Sequence, residues 1–288
     1  MIFYLLCGMF KYMNKLKALV YVNEEKDPGR VCAAELKKLL INGGATCEIV
    51  DENTVPEKGD YDVLFVIGGD GTILRRTEFA NRNGIPVVGI NAGKLGFLSE
   101  FEQSEIAEAS KSFIDGELVK DERSTLEIEY KGEKYLGLND VVIQRIYENV
   151  KGTKGMVISA TVSIDGDAIS PIIGDGVIVC SPTGSTAYSL AVGGAVLAPK
   201  INAFSLTPIA AHSFAQRPVV FSADSDCLVR YDGGASAGLF VDGKLVSVLN
   251  SGETFKIRKA QNPTIFLRKK SYSFYSNLSC KLKDRAGL

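Results

Sequence analysis

Hydrophobic and polar residues follow two different rhythms along this chain. Up to about residue 119, short apolar runs alternate with helical spacing. Ala18 to Val22, Cys47 to Val50, Val63 to Ile67 and Ile85 to Ile90 read as strands. The run Val63-Leu64-Phe65-Val66-Ile67 has no polar position, as expected of a strand covered on both faces. Between these runs, Val31, Ala34, Leu36, Leu39 and Leu40 approximate helical spacing, with Pro28 at the start and Gly43-Gly44 at the stop. Further helices are expected from about Ile73 to Asn81 and from Glu105 to Ile114. Strands alternating with helices predict an α/β domain with a Rossmann-like, doubly wound parallel sheet.

After about Val119 the period falls to two. Leu126 to Tyr130 alternates, Lys131-Gly132 turns it, and Tyr135 to Arg145 returns. Met156 to Ile164 is another strand, turned at Asp165-Gly166. Val177 to Cys180, Val219 to Phe221, Cys227 to Tyr231, Gly238 to Val241, Leu245 to Leu249, Thr254 to Ile257 and Thr264 to Leu267 continue the pattern. Asp242-Gly243 is a strong hairpin signal. Residues 120–269 therefore read as a β-rich second domain. Phe274, Leu278 and Leu282 then fall four apart, a helix-like stripe expected to return to the first domain, so that 270–288 joins 13–119.

Composition narrows the function. A chain of 288 residues has room for two domains. Its net charge is −1, without the basic excess of a bulk nucleic-acid or anionic-membrane binder, so neither is expected as a partner. There is one histidine, His212, which excludes multi-histidine zinc, copper and non-haem iron sites. The six cysteines form no C-x-x-C pair and fit a reducing, cytoplasmic location. The apolar Met1 to Phe10 is too short to span a bilayer and lacks the features of a signal peptide. Residues 1–12 read as a mis-called start or an extension. Glycine, 29 of 288 residues, exceeds the usual share of about 7% and asks for tight turns or close backbone approach.

Four clusters carry candidate chemistry. Ile67-Gly68-Gly69-Asp70-Gly71-Thr72 joins an apolar strand to a helix, where free N–H groups and the helix dipole suit a phosphate. It is neither a Walker A loop nor a G-x-G-x-x-G fingerprint. The acid at its centre repels phosphate. Asp70 reads either as the base that takes a proton from an attacking hydroxyl or as a turn aspartate bonded to its own backbone. Asn91 to Leu98 follows the fourth strand, at the end where parallel sheets bind ligands. Its Phe97 is a base-stacking or a core aromatic. The pair Asn139-Asp140 lies in an apolar run, where unpaired burial is costly. It suits ribose hydroxyls or an adenine edge, or else a bulge or buried network. Gly174-Asp175-Gly176 leads through a strand to Ser181-Pro182-Thr183-Gly184-Ser185-Thr186-Ala187-Tyr188 and on to Gly193-Gly194, either an anion or nucleotide site or an ordinary capped helix. His212 lies beside Ser213, but no G-x-S-x-G elbow exists, so it reads as a structural or ligand-orienting residue.

Taken together, the loop Gly68 to Thr72, the segment Asn91 to Leu98, Asn139-Asp140 and the run Ser181 to Gly194 resemble the NAD kinase family, in the family's order, over roughly residues 16 to 285. The G-G-D-G-T loop is shared more widely, with lipid kinases and phosphofructokinase-like enzymes; the long serine–threonine run is far more specific. The resemblance implies transfer of the ATP γ-phosphoryl to the 2′-hydroxyl of the adenosine ribose of NAD, giving NADP. It makes Asp70 the base, with Gly69, Gly71 and Thr72 around the phosphates. Asn139 and Asp140 would grip the NAD adenosine, with Phe97 bordering that pocket. Asp175, Thr186, Ala187 and Tyr188 would hold the rest of the dinucleotide, with His212 lining the pocket. Mg²⁺ would enter with ATP, and the chain would form a homodimer or homotetramer. The chain departs from the usual pattern at Asp140 (often Glu), Ala191 (often Ser), Ala195 (often Pro), Ala210-Ala211 (often Cys-Pro) and Ile173 (often Arg). These departures bear on the grip on the dinucleotide and on the choice between NAD and NADH. A lipid kinase with the same loop and a non-catalytic nucleotide-binding regulator are the competing readings.

Overall fold

The computed structural model describes residues 15–27, 30–93, 96–146, 157–169, 171–213 and 215–286. The readings of residues 1–12, of Pro28 as a helix start and of Met156 as a first strand residue fall outside them. Contacts divide the chain into two compact units. The first takes the chain up to Ile73, then Ile85–Val119 and Arg268–Lys270; the second takes Leu74–Gly84, Lys120–Leu267 and the chain from Ser271.

In the first unit, Thr46–Val50, Lys17–Val22, Val63–Gly68 and Val87–Asn91 lie side by side in that order, all parallel. Phe101–Glu102 pairs beside the last. The two central strands are the first and third in sequence, and their connections run to opposite sides of the sheet. That arrangement is a topological switch point, beyond whose carboxyl ends such sheets bind ligands. Val63–Gly68 is buried along its whole length, as its unbroken apolar pattern required. The helices Val31–Asn42 and Ile106–Ile114 pack against each other, and Phe113 meets Phe65 edge-on at 5.6 Å.

The buried face of Val31–Asn42 is Cys32, Ala33, Leu36 and Leu40, whereas Val31 is 68% exposed. The stripe is thus rotated from the one read in the sequence. A buried carboxylate is the reason: Asp27 accepts the N–H groups of Cys32 and Ala33 at 3.1 and 3.0 Å and so turns those residues inward.

The second unit holds two antiparallel sheets. One runs Asp167–Ala168, Ile158–Ile164, Cys227–Gly234, Thr254–Lys259, Leu126–Tyr130, Glu133–Gly137, with Ile172–Gly174 also on Ile158–Ile164. The other runs Val219–Ser222, Ala203–Ile209, Gly176–Cys180, Asp140–Arg145, Ala237–Val241, Lys244–Leu249. Side chains from both sheets, among them Ile128, Val229 and Phe255 from one and Val141, Val177 and Leu239 from the other, share one core. The run Tyr135 to Arg145, read as one strand, is therefore two. The chain leaves the first sheet after Gly137 and enters the second at Asp140, and Asn139 sits in the crossing. Ala203–Ile209 went unread, because Ser205, Thr207 and Pro208 mask its pattern although Ala203 to Thr207 are buried.

The C-terminal segment divides. Only Arg268–Lys270 groups with the first unit; the chain from Ser271, including the helix Phe274–Ala286, groups with the second, where the sequence had placed 270–288 with the first. Arg123, 3% exposed, gives the physical reason: its guanidinium holds Asp121 and donates to Tyr272 Oη at 3.2 Å.

Candidate active site

In the first unit, the Gly68-Gly69 turn ends a switch-point strand, and the helix Asp70–Asn83 starts at once. Asp70 is thus the first helical residue, three positions before the expected start. Thr72 is buried, and its hydroxyl accepts the Asn23 side-chain amide at 3.1 Å, tying this loop to the end of the neighbouring strand. The Asp70 carboxylate does not bond to its own turn. Its Oδ2 accepts the Phe97 N–H at 2.7 Å and its Oδ1 the Leu98 N–H at 3.1 Å. A carboxylate has about four acceptor positions, so two donors orient it and leave others for a substrate hydroxyl. Gly96 makes the approach possible, since a Cβ there would stand 1.8 Å from Asp70 Oδ1. Phe97 therefore contributes its backbone to this site, a role its aromatic ring did not suggest.

In the second unit, a cavity of about 340 Å³ is lined by Asn139, Asp140, Ala187 and Tyr188, joined by Val142, Phe240 and Asp242 among others. Strand alternation explains the lining. Asp140, Val142 and Gln144 point to one face of their strand, while Val141 and Ile143 point into the core between the sheets. Phe240 lies opposite Val142 on the neighbouring strand. Asp242, read only as a hairpin residue, is a half-buried organiser. Its carboxylate accepts the backbone N–H groups of Leu138, Asn139 and Asp140 at 2.8, 2.8 and 3.1 Å. Nothing in the sequence signalled this, since Asp-Gly is an ordinary hairpin pair directly after the strand Ala237–Val241. Gly184 brings the serine–threonine run against this segment, since a Cβ there would meet Asn139 O at 2.0 Å.

The electrostatics of the cavity follow from the burial of its carboxyl groups. Burial pushes the Asp140 carboxyl up to about 7, and the charge of Asp242 adds to the effect. Burial also pushes Asp242 up, to about 6, against the pull of its three N–H donors. The three N–H donors favour the charged form of Asp242, and Asp140 has no such support from them. Asp140, 6% exposed, changes between a hydrogen-bond donor and an anion near neutral pH.

Asp175, Thr186 and His212 are not among the residues that line this cavity. Asp175 is half-buried and pairs with Arg145 at 3.1 Å. Thr186 is buried, its hydroxyl donating to Thr183 O at 3.1 Å. The serine run forms a single 3-10 turn, Gly184–Thr186, and one α turn, Tyr188–Ala191, in place of a longer capped helix. Ser181 Oγ accepts the Gly184 N–H at 3.2 Å, so the hydroxyls fold the loop on itself. His212 is exposed, and its backbone N–H donates to Ile173 O. Among the described residues no cluster of three or more His, Cys, Asp or Glu is placed to hold a metal, and no helix is long and apolar enough to cross a membrane.

The first unit thus carries a glycine loop with a fixed carboxylate at a switch point, and the second a polar-rimmed cavity. The family models are specific: the ATP-NAD kinase N-terminal domain matches residues 21–118 and the ATP-NAD kinase C-terminal domain residues 138–269. The chain belongs to the NAD kinase family, and its activity is that of an NAD kinase. It is 36% identical over 281 residues to the NAD kinase of Carboxydothermus hydrogenoformans, covering 94% of this chain and 98% of that one. It is 35% identical over 228 residues to the NAD kinase of Gemmatimonas aurantiaca, covering 77% of each. Solved structures share the fold. Yeast NADH kinase complexed with NADH gives a TM-score of 0.81 at 23% identity, over 93% of this chain and 88% of that one. An NAD kinase from Archaeoglobus fulgidus in complex with ATP gives 0.76 at 24%, over 93% and 99%. The lipid-kinase reading is not favoured.

Proposed function

We propose that the chain transfers the terminal phosphoryl group of ATP to the 2′-hydroxyl of the adenosine ribose of NAD, with Asp70 as the base that takes the hydroxyl proton. The observation that carries this reading is the Asp70 carboxylate, fixed by two backbone N–H groups at the mouth of a phosphate-binding loop. A group that only bound phosphate would be neutral or cationic there. Gly69, Gly71 and Thr72 accompany the phosphates through the helix N-terminus. Asn139 and Asp140 hold the adenosine, Phe97 borders it, and Asp175, Thr186, Ala187, Tyr188 and His212 serve the remainder of the dinucleotide. Mg²⁺ enters on ATP and offsets charge on the phosphates; the sparse carboxylates around Asp70 suit a metal carried by substrate better than one caged by protein. By likeness to its family, the chain works as a cytoplasmic homodimer or homotetramer.

The test is NADP formation from NAD, ATP and Mg²⁺ by the native protein and by Asp70→Asn. The substitution should lower kcat by about 10²- to 10⁴-fold, the usual worth of a positioned base. An unchanged rate would remove Asp70 from that role.

A further inference from the structure

We infer that Arg268 is a positioning residue for the phosphoryl-transfer base: it holds the peptide groups that hold Asp70. The inference rests on the reading of Asp70 as that base. Arg268 is 1% exposed and lies at the end of the strand Thr264–Arg268, far in sequence from the G-G-D-G-T loop. Its Nη2 donates to Phe97 O at 3.2 Å. Its Nη1 donates to Leu98 O at 3.2 Å and to Ser99 O at 3.0 Å, and reaches Glu100 Oε2 at 3.2 Å. Two consecutive residues, Phe97 and Leu98, thus present their carbonyls to the guanidinium and their N–H groups to the Asp70 carboxylate.

The peptide unit between Phe97 and Leu98 is the link. Its carbonyl faces a cation and its N–H faces an anion, so its dipole lies along the field and each hydrogen bond strengthens the other. A planar fork with several donors fixes where the Phe97 carbonyl lies, and so fixes the rotation of the Leu98 N–H at the other end of that peptide. The neighbouring contacts anchor the guanidinium. Glu100 accepts the Lys269 N–H at 3.0 Å through its other oxygen, and the Lys269 ammonium pairs with Glu105 and Glu108 at 2.8 and 3.0 Å.

The experiment is a cycle of Arg268→Lys, Arg268→Met, Asp70→Asn and the double variants, assayed for NADP formation with NAD and ATP varied separately. Thermal unfolding confirms that each variant is folded. A lysine keeps the charge but cannot reach four acceptors in fixed geometry. Arg268→Lys should lower kcat by about 10²-fold, the scale of a small misplacement of a catalytic group, and leave KM for both substrates within about threefold. Arg268→Met should lower it at least as far. In the Asp70→Asn background the same substitutions should change kcat by less than about threefold, because no base remains to misplace. Equal losses in both backgrounds, or a loss confined to KM, would overturn the positioning role in favour of simple support of the loop. Should the methionine variant fail to fold, the lysine variant alone makes the comparison. If Asp70→Asn by itself runs at the native rate, the base reading fails on that single variant, separately from anything Arg268 does, and the positioning role falls with it.

Discussion

Gly96 shows how little room surrounds the Asp70 carboxylate. Its backbone N–H is held by Ser99 Oγ at 2.9 Å, and any side chain there would occupy the place of Asp70 Oδ1. Gly96→Ala should therefore turn the carboxylate off its two N–H donors without touching a substrate pocket. A fall in kcat of about 10²-fold, with KM for NAD and ATP little changed, is the expected result in steady-state kinetics. A rise in KM alone would mean that the glycine serves binding and not the base. At this scale the sequence singled out Asp70, Asn139 and Asp140 as candidates, because an acid in a glycine loop and a polar pair in an apolar run break local rules. It was not legible for Arg268 or Asp242. Their partners lie 168 to 171 and 102 to 104 residues away, so no local pattern links them.

Among the elements, the strand Asp140–Arg145 joins the core to the cavity. Its period of two gives Val141 and Ile143 to the packed sheets and Asp140 to the cavity, so the fold itself buries the carboxylate. This has a consequence for stability. The ordinary value for the carboxyl is 3.8, and in the folded chain it is about 7. The folded state therefore binds the proton more tightly than the unfolded state, and stability is lost as pH rises from about 4 through about 7. Asp140→Asn has no proton to lose. In thermal unfolding without ligand, the variant should gain on the native protein between pH 5 and pH 8, by an amount on the order of 2 kcal/mol. A difference independent of pH would show that Asp140 is not the titrating group. Strand and helix types were readable wherever the period was clean, as in Val63–Gly68 and Asp242-Gly243. They failed where polar residues are buried, as in Ala203–Ile209, and where one apolar run serves two sheets, as at Gly137 to Asp140.

The whole molecule divides in a way that no linear domain boundary describes. The border falls inside the helix Asp70–Asn83, so one element supplies Asp70 to the first unit and, from Leu74 onward, part of the second. Asn81 is what the second unit takes from it. Its buried amide donates to Asn262 O at 2.9 Å and to Thr264 Oγ1 at 3.3 Å, and lies 3.5 Å from Thr125 Oγ1. Thr125 and Thr264 in turn share a hydrogen bond of 2.9 Å. A fragment covering 120–267 keeps both sheets but loses Asn81 and also Tyr272, the partner of Arg123. Each buried polar group left without a partner costs about 1–3 kcal/mol. Several such losses are a large part of the stability of a domain, which is only about 5–15 kcal/mol. The fragment should therefore unfold well below the intact chain, with a Tm lower by about 10 °C or more, or show no cooperative transition in circular dichroism. Adding a peptide of residues 74–84 in trans should recover part of that loss. A fragment as stable as the intact chain would mean that the helix belongs to the first unit alone and that the second closes without it.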